Sequence, residues 1–446
     1  MSRVFASPLH GGLEFDGEEE CYRTSTGFEF HPGSCAAKNS IRERLNAHFA
    51  ASLSEPRIPV AEAVERACKL SVECIKAEEL QALLERKDYV PISYDGFEPS
   101  GRMHIAQGIC KAHKVNELKK MGIRSVMWIA DWFAVLNDKL GGDWANIRLV
   151  GEYFKHVWRA SGMDMSAVKF LWASEEINKN ADLYWRLVMD ISRSFNITRF
   201  KRCSEALGRA EGDNRPAASL LYPAMQCADI FYIGADICQL GLDQRKINML
   251  AREYCELKNV GARPIIMSHH MMPSLAHQGG KMSKSIPNSA IFMEDTEAEV
   301  NAKIKSAWCP EKEVTDNPCI AYFDLIVFPQ FKTVTIPRKP KNGGKRSVAL
   351  IQTTTNDGGL VHNRVSAHLN NRAGDVTYDS QEKLEEDYKS GALHPADLKP
   401  ALASYINRLL QPVRDYFQNN PEASKLAKQV AELQKLKTQA EEKDKQ

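Results

Sequence analysis

The chain has 446 residues, of which 43% are hydrophobic, so it is long enough for two folded domains with sizeable cores. Its 59 basic and 57 acidic residues give a formal net charge of +2, which argues against a protein that coats nucleic acid with its whole surface. The 11 cysteines include no C-x-x-C pair, so we expect reduced thiols rather than a zinc site or a disulfide framework. We find no signal peptide and no apolar run that could span a membrane, and expect no membrane partner.

The first 88 residues show two different patterns. Residues 1–50 mix glycine, acidic residues and isolated aromatic residues without a sustained period, and we interpret them as an N-terminal extension that is flexible or packs late. In residues 51–88 apolar residues recur at helical spacing, which predicts a helical N-terminal segment of two amphipathic helices.

From residue 89 short apolar runs alternate with longer helical patterns, which predicts an α/β domain with a parallel sheet over residues 89–309. The predicted strands are residues 89–94, 125–130 and 264–268, and the predicted helices are residues 104–121, 149–161, 181–196 and 244–256. We predict a second, smaller domain over residues 310–420, with a basic insertion near residues 332–360. Residues 421–446 form a charged helical tail.

The first motif is the string YDGFEPSGRMHIAQ at residues 94–107, which runs from a strand through a loop into a helix. Such a loop leaves backbone N–H groups free at a helix N-terminus, where phosphate groups are favoured. On this string alone, an ordinary strand–loop–helix turn remains an equal alternative.

The second motif is KMSKS at residues 281–285, preceded by two glycines. Two lysines and two hydroxyl groups on a glycine hinge suit a mobile loop that closes on a polyphosphate leaving group. A basic surface loop would show a similar composition.

The third motif places Tyr222, Gln226 and Asp229 at helical positions i, i+4 and i+7, so that one polar stripe runs along an apolar helix. Solvated faces usually carry lysine and glutamate, and this composition therefore favours the lining of a pocket over a solvent-exposed face. Further on, Asp243 and Gln244 follow a glycine turn at a polar helix start, which is a weak signal by itself.

In this order the motifs resemble those of the class I aminoacyl-tRNA synthetases, specifically the tyrosyl enzymes of the archaeal and eukaryotic cytosolic type, from about residue 89 to residue 417. The loop at His104 takes the place of the family's H-I-G-H motif, with Ala106 for glycine and Gln107 for the second histidine. Residues 281–285 match the K-M-S-K-S motif. The resemblance implies a Rossmann-like nucleotide-binding catalytic domain followed by a mainly α-helical anticodon-binding domain, in a cytoplasmic protein.

The resemblance also implies an activity: L-tyrosine reacts with ATP to give tyrosyl-adenylate and pyrophosphate, and tyrosine then passes to tRNA(Tyr). It implies Mg²⁺ that arrives with ATP, no protein-bound metal, and a homodimer. The implied catalytic residues are His104, Gln107, Lys281 and Lys284; the tyrosine-binding residues are Tyr94, Tyr222, Gln226, Asp229 and Gln244; the ATP-binding residues are Gly96, His104, Asp243 and Lys284; and the anticodon-reading residues are His394 and Asp397.

Three alternatives remain. A tryptophanyl enzyme is disfavoured, because an indole N–H needs only an acceptor and would leave one of Tyr94 and Asp229 idle. A small-molecule adenylyltransferase would not need KMSKS joined to the segment with His394 and Asp397. A synthetase-derived RNA-binding or signalling protein is disfavoured by the intact pocket residues.

Overall fold

The computed structural model describes residues 13–16, 21–24, 28–31, 34–206, 216–276, 278, 280, 282, 286, 288–338 and 374–443. The chain divides into two compact units. The first comprises Met1–Met271 with Asp415–Gln446, and the second is Met272–Arg414.

A six-stranded sheet forms the centre of the first unit. The strands of this unit are β1 Leu13–Asp16, β2 Cys21–Thr24, β3 Glu29–Phe30, β4 Glu73–Ile75, β5 Ile92–Phe97, β6 Arg124–Ile129, β7 Val168–Trp172, β8 Ile237–Gly241 and β9 Ile265–His269. The central sheet has the order β4-β9-β8-β5-β6-β7, in which only β4 runs antiparallel, while β1, β2 and β3 form a separate antiparallel sheet. Every residue of β6 and β9 is buried, as expected for parallel strands covered on both faces.

Helices cover this sheet and follow its strands. They are α1 Arg42–His48, α2 Val60–Leu70, α3 Ala77–Glu85, α4 Lys111–Lys120, α5 Asp131–Leu136, α6 Trp144–Ala160, α7 Ala173–Lys179, α8 Ala181–Ser194, α9 Ile197–Ala206, α10 Ala218–Ile233 and α11 Arg245–Lys258. Short 3-10 turns lie at Ala50–Ser54, Lys139–Gly142, Met165–Ala167 and Leu242–Gln244, and a π-helical turn at Ala106–Cys110 precedes α4.

The second unit is mainly helical. Its described elements are α12 Glu297–Ser306, α13 Pro318–Tyr322, a π-helical turn Phe323–Val327, α14 Phe328–Gln330, the antiparallel strands β10 Val334–Ile336 and β11 Val376–Tyr378, α15 Gln381–Ser390 and α16 Pro395–Asn419. The unit boundary falls within α16, and the last helix, α17 Pro421–Lys443, belongs to the first unit. Thr296 and Glu299 form a reciprocal capping box that fixes the start of α12.

The predicted N-terminal extension, expected to be flexible or to pack late, packs in part into the core of the first unit. Phe28 and Phe30 are buried, and the Arg42 guanidinium lies inside the protein. It donates to Asp236 Oδ2 at 2.8 Å and to the Val90 carbonyl at 2.9 Å. A buried cation that satisfies a carboxylate and main-chain carbonyls is costly to remove, so these residues are structural.

The predicted α/β fold with a helical second part is confirmed. The predicted strands and helices from residue 89 onward lie within a few residues of the observed ones, except that the helix predicted for 149–161 begins earlier, at Trp144. The short strand β4 between α2 and α3 was not predicted. The unit boundary lies at residue 271, whereas we predicted a domain boundary at residue 309, and the basic insertion lies mostly outside the described residues.

Candidate active site

A buried carboxylate with two tyrosine hydroxyls forms the base of the site. The Tyr184 hydroxyl of α8 donates to Asp229 Oδ1 at 2.8 Å, and the Tyr94 hydroxyl of β5 donates to Asp229 Oδ2 at 3.4 Å. Burial raises the pKa of Asp229 well above the ordinary aspartate value, while the hydrogen bonds from Tyr184 and Tyr94 act in the opposite direction. The structure thus brings the predicted pair Tyr94 and Asp229 together and adds Tyr184, which we did not predict.

The polar stripe on α10 is buried, so the alternative of a solvent-exposed face is wrong. Tyr222, Gln226 and Asp229 are 7%, 4% and 0% exposed. The Tyr222 hydroxyl donates to Glu98 Oε1 at 2.6 Å, and the Asn137 side-chain amide donates to the same oxygen at 2.5 Å. Glu98 was missed by the sequence analysis, although it lies inside the first motif. Its carboxylate fixes the direction of the Tyr222 hydroxyl.

Gly96 leaves room for the Tyr94 phenol. The two residues lie on the same face of β5, because side chains alternate along a strand. A Cβ at Gly96 would lie 3.0 Å from the Tyr94 hydroxyl oxygen, a contact tighter than almost any real Cβ makes. The residue between them, Asp95, points to the other face, where it forms a buried ion pair with Lys111 at the start of α4.

The loop between β5 and α4 is held by α6. The Met103 N–H donates to the Tyr153 hydroxyl at 3.2 Å, and the Trp158 indole N–H donates to the Gln107 carbonyl at 2.8 Å. His104 lies between Met103 and Gln107 in the chain, and its main-chain carbonyl accepts the Gln107 N–H at 2.9 Å. His104 therefore opens the helical turn that leads into α4. The loop that follows β5 therefore ends in a helix start, a position where phosphate groups are favoured.

Asp243 and Gln244 lie on the 3-10 turn that follows β8. Since β8 and β5 are parallel neighbours, their carboxyl ends meet at one edge of the sheet. Ligands of open α/β sheets bind at such an edge. Both side chains are only half-buried, in contrast to Asp229.

Two predicted catalytic residues lie outside the described part of the chain. Lys281 and Lys284 belong to the KMSKS string, of which only Met282 is described. The Met282 N–H donates to the Met272 carbonyl at 2.9 Å. The roles of both lysines therefore stay predictions.

In the second unit, His394 has a clear structural role. Its Nδ1 accepts the N–H of Ala396 at 3.0 Å at the start of α16, and its Nε2 lies 2.7 Å from Glu311 Oε1. Because Nδ1 is the acceptor, Nε2 carries the ring proton and donates to Glu311. Asp397 is buried, at 2% exposure, and its N–H donates to the His394 carbonyl at 2.9 Å. His394 thus caps the start of α16, and its anticodon-reading role stays a prediction.

Within the described ranges, no group of three or more His, Cys, Asp or Glu side chains could hold a metal ion. In the same part of the chain, none of the helices has the length and apolar content that crossing a bilayer requires.

Comparison with protein families agrees with the fold and the buried site. The sequence model of the class I tRNA synthetases (W and Y) matches residues 87–411. The chain therefore belongs to this family.

The similar proteins show which member of this family the chain resembles. The cytoplasmic tyrosine–tRNA ligase 1 of Arabidopsis thaliana is 50% identical over 85% of this chain and 92% of the relative, and the cytoplasmic tyrosine–tRNA ligase 2 is 48% identical over 88% of this chain. The Leishmania major tyrosyl-tRNA synthetase, solved with tyrosinol, is 43% identical, with a TM-score of 0.72 over 84% of this chain. The chain spans 49% of the second Arabidopsis relative and 61% of the Leishmania chain.

Within the family, this chain is a tyrosyl-tRNA synthetase of the eukaryotic and archaeal type. It is accordingly an aminoacyl-tRNA synthetase, as the sequence predicted.

Proposed function

We propose that this chain activates L-tyrosine with ATP, giving tyrosyl-adenylate and pyrophosphate, and then transfers the tyrosyl group to tRNA(Tyr). The chain is a tyrosine–tRNA ligase, and its two closely matched Arabidopsis relatives are named cytoplasmic, which assigns it to the cytoplasm. The observation that carries the proposal is the buried cluster of Tyr94, Tyr184 and Asp229.

This cluster suits a phenolic substrate. A phenol buried in a pocket needs one hydrogen-bond donor and one acceptor, which a tyrosine hydroxyl and a carboxylate supply. The bond from Tyr184 to Asp229 is short at 2.8 Å, whereas that from Tyr94 is long at 3.4 Å and correspondingly weak. We therefore assign the substrate contact to Tyr94 and Asp229, with Tyr184 as the residue that keeps the carboxylate in place.

The other pocket residues orient the reacting end of the substrate. Tyr222, Gln226 and Gln244 hold the ammonium and carboxylate groups, and Glu98 orients Tyr222. The substrate carboxylate attacks the α-phosphorus in line, so no side chain acts as a nucleophile. Positioning and electrostatic stabilisation supply the rate.

ATP lies along the first motif. Gly96 allows close approach, Asp243 accepts from the ribose, and His104, Gln107, Lys281 and Lys284 stabilise charge on the α-phosphate and on departing pyrophosphate. ATP brings Mg²⁺, which neutralises phosphate charge when bound. For the tRNA step, His394 and Asp397 read the first anticodon base.

We also propose that the active form is a homodimer. Met189 of α8 and Ile197 of α9 are 57% and 58% exposed, and large apolar side chains of this exposure suit a contact with a second copy. Sedimentation tests this, and a fully active monomer would refute it.

ATP–pyrophosphate exchange with tyrosine, tryptophan and phenylalanine tests the activity. We expect exchange with tyrosine alone. The selectivity expected against phenylalanine is about 10⁵, a magnitude already measured for enzymes of this family. Equal exchange with tryptophan would overturn the tyrosine assignment, and the absence of exchange with all three would overturn the activity.

A further inference from the structure

The last helix of the chain, α17, packs on the first unit rather than forming a separate tail. It contacts α6, and its residues Ala423 and Val430 are fully buried. Asn420 caps the start of α17, because its Oδ1 accepts the N–H of Ala423 at 3.0 Å. A helix attached only by its first turn would leave Val430 exposed, so α17 is docked for at least its first three turns.

The segment that leads into α17 contacts the same face of α6. The Tyr416 hydroxyl lies 2.9 Å from His156 Nδ1, and the Phe417 ring lies 6.0 Å from the Tyr153 ring. Tyr153 is the residue whose hydroxyl accepts the Met103 N–H. One tyrosine of α6 therefore links the C-terminal segment to the loop that carries His104.

A second contact is direct. Gly101 of that loop has φ +125°, and a Cβ at this position would lie 2.7 Å from Gln434 Oε1. Gln434 belongs to α17, so the side chain of the last helix touches the middle of the loop. The loop thus lies between α6, which holds Met103 and Gln107, and α17, which covers Gly101.

We propose that α17 is a positioning element for ATP: when docked, it holds the loop of residues 100–104 in the conformation that receives the triphosphate, and Gln434 and Tyr153 are its positioning residues. This inference rests on the proposed function. It predicts that loss of docking weakens the use of ATP and leaves tyrosine binding intact, because Tyr94, Tyr184 and Asp229 lie on β5, α8 and α10, away from the helices that hold the loop.

The test compares full-length variants in tyrosine-dependent exchange. Val430→Asp places a charge in the buried contact, and Leu436→Asp, at a position 57% exposed on the same helix, is its control. Gln434→Ala removes the direct contact, and Gln418→Ala, at an exposed glutamine, is its control. Tyrosine affinity is measured separately by calorimetry without ATP.

We expect Val430→Asp to raise the KM for ATP about tenfold or more, roughly the cost of losing one hydrogen bond to a charged group. Gln434→Ala should raise it by a smaller factor, and both controls should match the wild type. Tyrosine affinity should stay within about twofold of the wild type in all four variants. An unchanged KM for ATP in Val430→Asp and Gln434→Ala, with normal tyrosine binding, would overturn the proposal.

Two outcomes separate a failure of the α17 proposal from a failure of the proposed activity or of folding. If the wild type shows no exchange, the activity fails before α17 is tested. If Val430→Asp no longer binds tyrosine, that variant has lost its fold, and Gln434→Ala with Tyr153→Phe then decides. A raised KM for ATP in these two variants supports positioning by α17, and wild-type values in both refute it.

Discussion

The tyrosine pocket and the segment at the start of α16 both carry predicted recognition residues, but they are built differently. In the pocket, Asp229 is fully buried and its carboxylate accepts hydrogen bonds from side chains of two other elements. At α16, His394 already serves its own helix through Ala396. The polar contacts of the proposed pocket thus converge on one buried carboxylate, whereas the α16 motif has a helix-capping contact that must be separated from RNA reading by experiment.

The largest effect is expected in the pocket. Asp229→Ala leaves two buried tyrosine hydroxyls without their acceptor, and we expect kcat/KM for tyrosine to fall about 10²–10³-fold, or about 3–4 kcal/mol. The KM for ATP should change little, because this residue lies outside the proposed ATP site.

Asp190→Ala is the matched control for this variant. Asp190 is also buried and accepts from a tyrosine, Tyr254, at 2.6 Å, but it lies outside the proposed site. It should lower the free energy of unfolding without changing selectivity among aromatic amino acids. If Asp190→Ala reduced tyrosine selectivity as strongly as Asp229→Ala, the pocket assignment would be wrong.

A smaller effect is expected at α16. If Asp397 reads the first anticodon base, Asp397→Ala should weaken charging by about 1–3 kcal/mol and relax the preference at that base, with normal pyrophosphate exchange. If its buried side chain only supports the helix, all tRNA variants should be affected alike, with about 1 kcal/mol of lost stability.

Charging of wild-type tRNA and of a first-anticodon-base mutant by both enzymes gives a double-mutant cycle. Non-additive effects are expected for a direct contact. Simple additivity would mean that Asp397 does not read that base. Chemical unfolding of His394→Ala measures what the cap at Ala396 contributes to stability, separately from any effect on charging.

The smallest effect is expected from Tyr184→Phe, which removes one hydrogen bond to Asp229 and keeps the ring. We expect a loss of about 0.5–1.5 kcal/mol in tyrosine affinity, below that of Tyr94→Phe, because Tyr184 acts through Asp229. Equilibrium binding of tyrosine to both variants measures the order. A larger loss in Tyr184→Phe would mean that Tyr184 contacts the substrate and that Tyr94 supports Asp229.

The parallel fold was predictable because it depends on local patterns, whereas the pocket residues were named because their strings resemble those of a known family. Tyr94, Tyr222 and Asp229 belong to strings with distinctive order, and the strands of the sheet are continuous apolar runs. Tyr184 was not predictable, since it lies in an ordinary amphipathic helix and only tertiary packing brings it to Asp229. The strand β4 has three residues, too few to show a period. Phe28 and Phe30 are buried, but in the sequence they are isolated aromatic residues without a sustained period.

The first unit is completed by residues from both ends of the chain, which has a consequence for protein synthesis. Arg42 can form its ion pair only after Asp236, just before β8, has been made. His156 can contact Tyr416 only after the whole second unit has been made. Domains form as the ribosome adds about 5–20 residues per second, so the second unit can finish folding while the first is still open. The part of α6 that contacts α17 therefore stays uncovered until residues 416–430 have been made, and a chain that stops before them presents that surface to chaperones and proteases.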